Sequence, residues 1–323
     1  MASRPDEFTL IADIFAPLSA KAPGAYGLRD DAASFTPRPG FDLVLTVDAL
    51  VEGVHFFSSD PADMVARKLL RVSLSDLAAK GAVPRGYLLT AAWTSQTPLE
   101  WMHRFALGLS QDQLIFDMDL WGGDTVSTSG PLTFSLTAIG EIPAGQILRR
   151  GGAKAGDALF ITGTVGDAAL GLAVAQGRLA EDPHLLTRYR LPEPRVSVGA
   201  GLRGIAHAAL DVSDGLMADL KHLCEVSGVG ARVDVASVPL SPAAKRCLAS
   251  DSTLIETVLT GGDDYEILFA APIAKSAEID SLAAATGVPI TRIGAVLDPT
   301  EGLSAIAPSG EPMALKRLGF RHF

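Results

Sequence analysis

Seven aspartates stand where a folded chain seldom spends negative charge. Asp30 and Asp31 fall together in "GLRDDAA", Asp48 closes the apolar run "LVLTVD", and Asp76 interrupts "LSDLAAKGA". Asp124 follows two glycines in "LWGGDT", and Asp211 and Asp214 flank a serine in "DVSDGL". Taken singly, each has an ordinary reading: Ser213 or Asp211 caps the helix that follows, and Asp124 fills a turn. Asp48 and Asp76 resist it, because an unpaired carboxylate in apolar surroundings is costly and these words hold too few Arg or Lys to neutralise it. If several converge, each like-charge pair about 5 Å apart costs about 3 kcal/mol at an effective dielectric near 20, so convergence requires bound cations. All-oxygen donors without a Cys/His cluster point to Mg²⁺ before Zn²⁺, and Mg²⁺ usually shares its coordination with substrate phosphates. The implied chemistry is the handling of an anionic nucleotide. Arg150, beside "GGAK", either adds a charge-assisted phosphate contact or sits in a surface loop. No G-x-x-x-x-G-K-[ST] and no H-R-D word is present, so phosphoryl chemistry would need another scaffold.

Elements must hold these residues. Runs rich in β-branched and aromatic residues predict strands over "FDLVLTVD", "GYLLTAAW" and "LTFSLTAIGEI". Helical periodicity predicts one helix from about Pro61 to Lys80, stopping at Gly81, and a second from Pro98 carrying Trp101, Phe105 and Leu109 as a core stripe. Glycine density near Arg149 to Gly156 marks a domain boundary, giving 1–148 and 149–323. Beyond it come a strand "DALFITG", a helix around Ala168 to Ala175, a helix Asp214 to Val226 ending at Gly228, a strand "YEILFAAP" and a helix Lys275 to Thr286. "RYRLPEPRVSVG" reads as a surface loop. Without a strict βαβ rhythm, the fold class is α/β and α+β in two domains.

A length of 323 residues exceeds what one core comfortably fills, which also favours two domains. The chain is 48% hydrophobic and 20% charged, a globular composition, and its net charge of −10 argues against nucleic acid or an anionic membrane as partner. Two isolated cysteines, Cys224 and Cys247, make no disulfide framework, and a reducing cytoplasm is expected. The N-terminus carries acidic residues where an export signal needs an apolar core, and no uncharged apolar run approaches about 18 residues.

In order, "GLRDDAA", "LTVDALVEGVHF", "SLSDLAAKGA", "GGDT", "RRGGAKAGD", "DVSDGL" and "GGDDYEILF" resemble the thiamine-monophosphate kinase family from near residue 8 to the last residue. That family belongs to a superfamily with aminoimidazole ribonucleotide synthetase, selenophosphate synthetase and the hydrogenase-maturation dehydratase. The resemblance implies an N-terminal α/β domain for ATP and Mg²⁺ that forms a homodimer through its sheet, a C-terminal α+β domain, and an ATP site between them. It implies Mg²⁺ ligands at Asp31, Thr46, Asp48, Asp76, Asp124, Asp211 and Asp214, with Asp48, Asp124 and Asp214 central to catalysis. ATP contacts are implied for Gly123, Asp124, Arg150 and Ser213, and thiamine monophosphate contacts for His55, Asp263 and Phe320. The chain departs from the family words at Arg29, at Val47 and at Ser73, which replaces an asparagine. Any metal contact at Val47 must therefore come from its backbone carbonyl.

The activity implied is transfer of the γ-phosphoryl group of ATP to thiamine monophosphate, giving thiamine diphosphate. Another ATP-dependent synthetase of the superfamily is the alternative, although the reactive N-terminal or C-terminal cysteine that two of them need is missing. A non-catalytic nucleotide or Mg²⁺ sensor would require the same ligands.

Overall fold

Burial alternates along β4 (Thr133–Pro143), as in a strand packed on one face and open on the other. Its inward Phe134, Leu136 and Ala138 are fully buried. In this computed structural model, which describes residues 6–320, β4 lies within the first of two compact units. That unit comprises residues up to Leu77 and Val83–Gly145, and the second comprises Ala78–Ala82 and the chain from Gln146.

The first unit opens with α1 (Glu7–Leu10), whose N-cap Asp6 accepts the Thr9 N–H at 3.0 Å. Its sheet contains β1 (Phe41–Val51), β2 (Val83–Thr94), β3 (Asp119–Thr128) and β4, in the order β1-β4-β2-β3. β4 is antiparallel to both neighbours, and β2 runs parallel to β3. Two helices, α2 (Ala62–Ala79) and α3 (Leu99–Phe116), supply the covering layer. The expected stripe of α3 is core: Phe105 and Leu109 are fully buried, and Phe105 stacks on Phe134 with ring centroids 4.5 Å apart. Burying such a Phe stabilises the fold by about 1.5–3 kcal/mol. Asp112 of α3 ties the helices together, accepting from Arg67 Nε at 2.9 Å and Arg71 Nε at 2.6 Å.

The second unit is built on a six-stranded sheet ordered β10-β7-β9-β5-β8-β6. Its strands are β5 (Ala158–Thr162), β6 (Ala208–Asp211), β7 (Gly230–Asp234), β8 (Ile267–Ala271), β9 (Ile290–Leu297) and β10 (Leu303–Ile306). β5 and β8 are buried at every residue because their alternate side chains feed two cores. Leu159, Ile161, Leu268 and Ala270 join one core, while Phe160, Ile267 and Phe269 join the other. The first core also takes in α4 (Asp167–Ala175), α5 (Pro183–Arg190), α7 (Leu216–Ser227), α8 (Pro242–Ser250) and α9 (Ile255–Thr260). The second takes in α6 (Val196–Gly201) and α10 (Ser276–Thr286).

Two local expectations are corrected. "GGDT" is not a turn: it lies inside β3, with Asp124 opposite Thr90, and Trp121 is the extra residue of a bulge where the β2 register jumps from Leu120 to Gly122. Flanking Leu120, Trp121, Thr125 and Val126 supply strand propensity that the glycines masked. "RYRLPEPRVSVG" is not a surface loop either. Arg188 and Tyr189 are buried at the end of α5, and Arg195 turns inward before α6.

Candidate functional site

Within the first unit, β1 and α2 face each other with oxygen atoms. Thr46 and Asp48, two residues apart on one face of β1, meet two residues of α2. Thr46 Oγ1 donates to Asp76 Oδ2 at 2.5 Å, and Ser73 Oγ donates to Asp48 Oδ2 at 2.7 Å. Burial pushes the Asp48 carboxyl up to about 6, opposed by the Ser73 hydrogen bond and reinforced by the charge of Asp76. Val47 points the other way, with 62% of its surface exposed. Beyond β1 the chain turns sharply: the Val51 N–H donates to His55 Nδ1 at 3.0 Å, which leaves the proton of a neutral ring on Nε2. Lys68 of α2, buried, donates from Nζ to the His55 carbonyl at 3.2 Å. One helix thus braces Asp48, Asp76 and the His55 turn.

Asp31 and Asp124 lie elsewhere in the same unit, on the wall of a cavity of ≈ 630 Å³. Asp30, Gly122 and Gly123 line it with them, and Trp121 packs on Phe35 there with ring centroids 4.3 Å apart. Position 123 admits no side chain, because a Cβ would run into the Leu89 carbonyl.

The second unit brings residues together through its backbone. Asp211 ends β6 and is buried; the chain then leaves the sheet through Val212, Ser213 and Asp214 before α7. The Asp263 N–H donates to the Ser213 carbonyl at 2.9 Å, the Tyr265 N–H to Val212 at 2.8 Å, and the Phe320 N–H to Asp214 at 2.9 Å. Residues expected to contact metal, ATP and thiamine monophosphate are therefore stitched into one layer of chain. Neither Ser213 nor Asp211 caps α7, correcting that expectation: the N-cap is Gly215, at φ +121° with no side-chain bond. The loop is held instead by Asp219, from the first turn of the helix. Its Oδ2 accepts the N–H groups of Ser213 at 3.0 Å, Asp214 at 3.0 Å and Gly215 at 3.1 Å. Burial and the neighbouring Asp214 charge push Asp219 up to about 7, against the pull of those bonds and of Arg150.

"GGDDYE" divides its residues by alternation. Asp263 and Tyr265 adopt φ of +72° and +52°, and the Tyr265 hydroxyl reaches Asp263 Oδ1 at 3.4 Å. Such left-handed conformations cost on the order of 1–3 kcal/mol each and persist only where the surroundings enforce them. Asp264 and Glu266, both buried, do the enforcing. Asp264 accepts from the Gly166 N–H at 2.7 Å, and burial pushes its carboxyl well above the usual range. Glu266 accepts a fork from Arg195 at 2.6 and 2.7 Å, a bond from Arg188 at 3.1 Å and the Thr162 hydroxyl at 2.6 Å.

Sequence reasoning missed Asp219, Lys68, Asp264 and Glu266, and noted Ser73 only as a departure. The signal available for Asp219 was a second acidic residue in the first turn after "SDGL", and for Asp264 and Glu266 their period of two. Oxygen-only donors suit a hard divalent ion, and Asp48, drawn up to about 6 by burial and Asp76, is the kind of carboxylate a cation would stabilise. Among the described residues no three His, Cys, Asp or Glu are arranged as a preformed metal cage. Mg²⁺ is compatible with such partial sites, since it keeps waters and takes phosphate oxygens.

Comparison with known proteins agrees on both units. Residues 29–142 match the N-terminal domain of AIR synthase related proteins, and residues 154–304 match the C-terminal domain. The thiamine-monophosphate kinase of Caulobacter vibrioides is 46% identical over 99% of this chain and 92% of its own, and that of Escherichia coli K12 is 40% identical over 98% of each. Among solved structures, the thiamine-monophosphate kinase from Stenotrophomonas maltophilia K279a superposes with a TM-score of 0.80 at 40% identity, over 88% of this chain and 91% of that one. AaThiL complexed with AMPPCP and TMP gives 0.79 at 29% identity over 100% of both. The hydrogenase maturation protein HypE in complex with ATP, 18% identical with a TM-score of 0.80, shares the fold. Identity of this order across both domains, in the order the two sheets follow along the chain, makes this chain a member of the thiamine-monophosphate kinase family.

Proposed function

We propose that this chain transfers the γ-phosphoryl group of ATP to the phosphate of thiamine monophosphate, releasing thiamine diphosphate and ADP. The observation that carries the reading is the stitching of Asp263 and Phe320 to the Ser213 and Asp214 carbonyls, which joins residues assigned to both substrates in one layer of chain. It is supported by relatives named thiamine-monophosphate kinase and by AaThiL, a structural neighbour complexed with AMPPCP and TMP.

In the reaction an oxygen of the acceptor phosphate forms a bond to Pγ while the bond from Pγ to the β–γ bridging oxygen breaks, and ADP leaves. The acceptor oxygen is already anionic, so no strong general base is required; the barrier lies in bringing two anions into line. Asp31, Thr46, Asp48, Asp76, Asp124, Asp211, Asp214 and the Val47 carbonyl are the proposed Mg²⁺ ligands. When bound, Mg²⁺ supplies the positive charge that offsets phosphate repulsion. Gly123, Asp124, Arg150 and Ser213 are assigned to ATP, and His55, Asp263 and Phe320 to thiamine monophosphate. His55 Nε2–H is the proton it would offer a phosphate oxygen.

In this reading the first unit carries ATP, metal and dimerisation roles, and the second unit carries further metal, ATP and thiamine monophosphate contacts. Leu43, Leu45 and Val47 leave 39%, 62% and 62% of their surfaces exposed along the open face of β1. A row of exposed aliphatics of this kind fits a homodimer interface. Leu45→Asp is expected to shift a dimer to monomer in light scattering; an unchanged mass removes that face from the assembly. Among the described residues no helix is long and apolar enough to cross a membrane, and the cytoplasm is the proposed setting.

Incubation with ATP, Mg²⁺ and thiamine monophosphate, followed by chromatography, tests the activity. Stoichiometric thiamine diphosphate and ADP are expected. Nucleotide binding without diphosphate would overturn the kinase reading in favour of a sensor or another synthetase.

A further inference from the structure

The loop that precedes α7 has the makings of an anion site, and that site is already filled. Three successive N–H groups, from Ser213, Asp214 and Gly215, converge at the start of a 12-residue helix. Such convergence of donors normally attracts phosphate or another free anion. Here all three end on one oxygen of Asp219, a side chain only 3% exposed.

We propose that Asp219 is a positioning residue that plugs this N–H nest, so that the loop turns carboxylates and the Ser213 hydroxyl, not amide protons, toward its ligand and binds a divalent cation. The inference rests on the kinase reading for the identity of that cation. Its physical basis is independent of it. With Asp219 in place the donors of residues 213–215 are consumed internally, and the conformation of the loop is determined from beneath. Gly215, at φ +121°, follows a path most other residues would resist, and a Cβ there would press on the Thr260 backbone at 2.8 Å. A loop with so little local preference for its shape needs an internal acceptor to keep Asp211 and Asp214 in register.

The test compares Asp219→Ala and Asp219→Asn with wild type, and with Asp214→Asn as the ligand control. Mg²⁺ is titrated calorimetrically into the full-length protein saturated with AMPPCP, and half-saturating Mg²⁺ for turnover is measured in parallel. Asp219→Ala is expected to weaken Mg²⁺ at least tenfold by calorimetry, with an unchanged far-ultraviolet spectrum. It is also expected to let inorganic phosphate bind without metal. Asp219→Asn keeps one acceptor oxygen and is expected to weaken Mg²⁺ by only two- to threefold relative to wild type. Wild-type Mg²⁺ affinity in folded Asp219→Ala overturns the proposal. If that variant does not fold, Asp219→Asn decides: a two- to threefold weakening supports the proposal and identity with wild type overturns it. An unchanged Mg²⁺ affinity in Asp214→Asn would instead remove the loop as a metal ligand, a failure of the kinase-site reading and not of Asp219's place beneath it.

Discussion

The two units hold their candidate ligand carboxylates by opposite means. In the first, Asp48 and Asp76 project from a regular strand and a regular helix, and side chains do the holding: Ser73 to Asp48, Thr46 to Asp76. In the second, Asp214 and Asp263 sit on irregular chain, and the backbone does the holding through Asp263 to Ser213 and Phe320 to Asp214, with Asp219, Asp264 and Glu266 beneath. Regular elements need little help to keep their shape, so the hydrogen bonds of the first site go to the candidate ligands themselves. A loop with two residues at positive φ has no such reserve, and buried acids go into shaping it.

Replacing a ligand should strike both regions equally. Asp48→Asn and Asp214→Asn are each expected to lower turnover by on the order of a hundredfold or more while leaving the circular dichroism spectrum intact. Wild-type-like turnover in both variants at limiting Mg²⁺ would sink the metal reading. Replacing a support should separate them. Glu266→Ala takes from buried Arg188 and half-buried Arg195 the buried acid they share, leaving them the exposed Glu193, and is expected to cost about 3–5 kcal/mol. The loss should appear in one unit: the tryptophans Trp93, Trp101 and Trp121 all lie in the first, so their fluorescence transition in urea should stay in place while part of the circular dichroism signal melts earlier. Coincident shifts of both probes would mean that the two supports are not separate.

Ser73→Ala removes one bond to the proposed ligand Asp48, an expected effect of about 1 kcal/mol, or roughly fivefold in half-saturating Mg²⁺. Ser73→Asn, which restores a donor, should behave like wild type; equal loss in both variants would argue that size and not donation matters at this position. The smallest effect is a slope with pH. Because the Asp264 carboxyl is raised by burial, its contribution to stability is fully present below the ordinary Asp value near 3.8 and is lost as pH rises through its folded value. The melting temperature of wild type relative to Asp264→Asn should accordingly fall as pH rises. A flat difference would show that Asp264 is ionised in the folded state.

Legibility followed the same division. Helix α2 could be read from Pro61 to Gly81 because its stripe is strong and its stop is a glycine, and Asp48 and Asp76 stood out on it and on β1 as charges breaking an apolar pattern. β3 could not be read, since its parallel pairing with β2 is non-local and "GGD" carries a turn's composition. Arg188 and Arg195 read as loop cations because nothing near them in sequence announces Glu266, 71 residues beyond Arg195.

By its own residues the sequence determined the acidic words, their order, the two-domain length and the family they resemble, because these depend on residue type and short spacing. Tertiary structure alone decided which acids face outward as candidate ligands and which lie beneath as supports. Asp263 and Asp264 are adjacent and chemically identical, yet one sits at φ +72° against the Ser213 carbonyl while the other is buried on the Gly166 N–H. That choice belongs to long-range partners, and "DVSDGL" shows it most plainly: its helix is entered through Gly215, and its shape is set by an aspartate outside the motif.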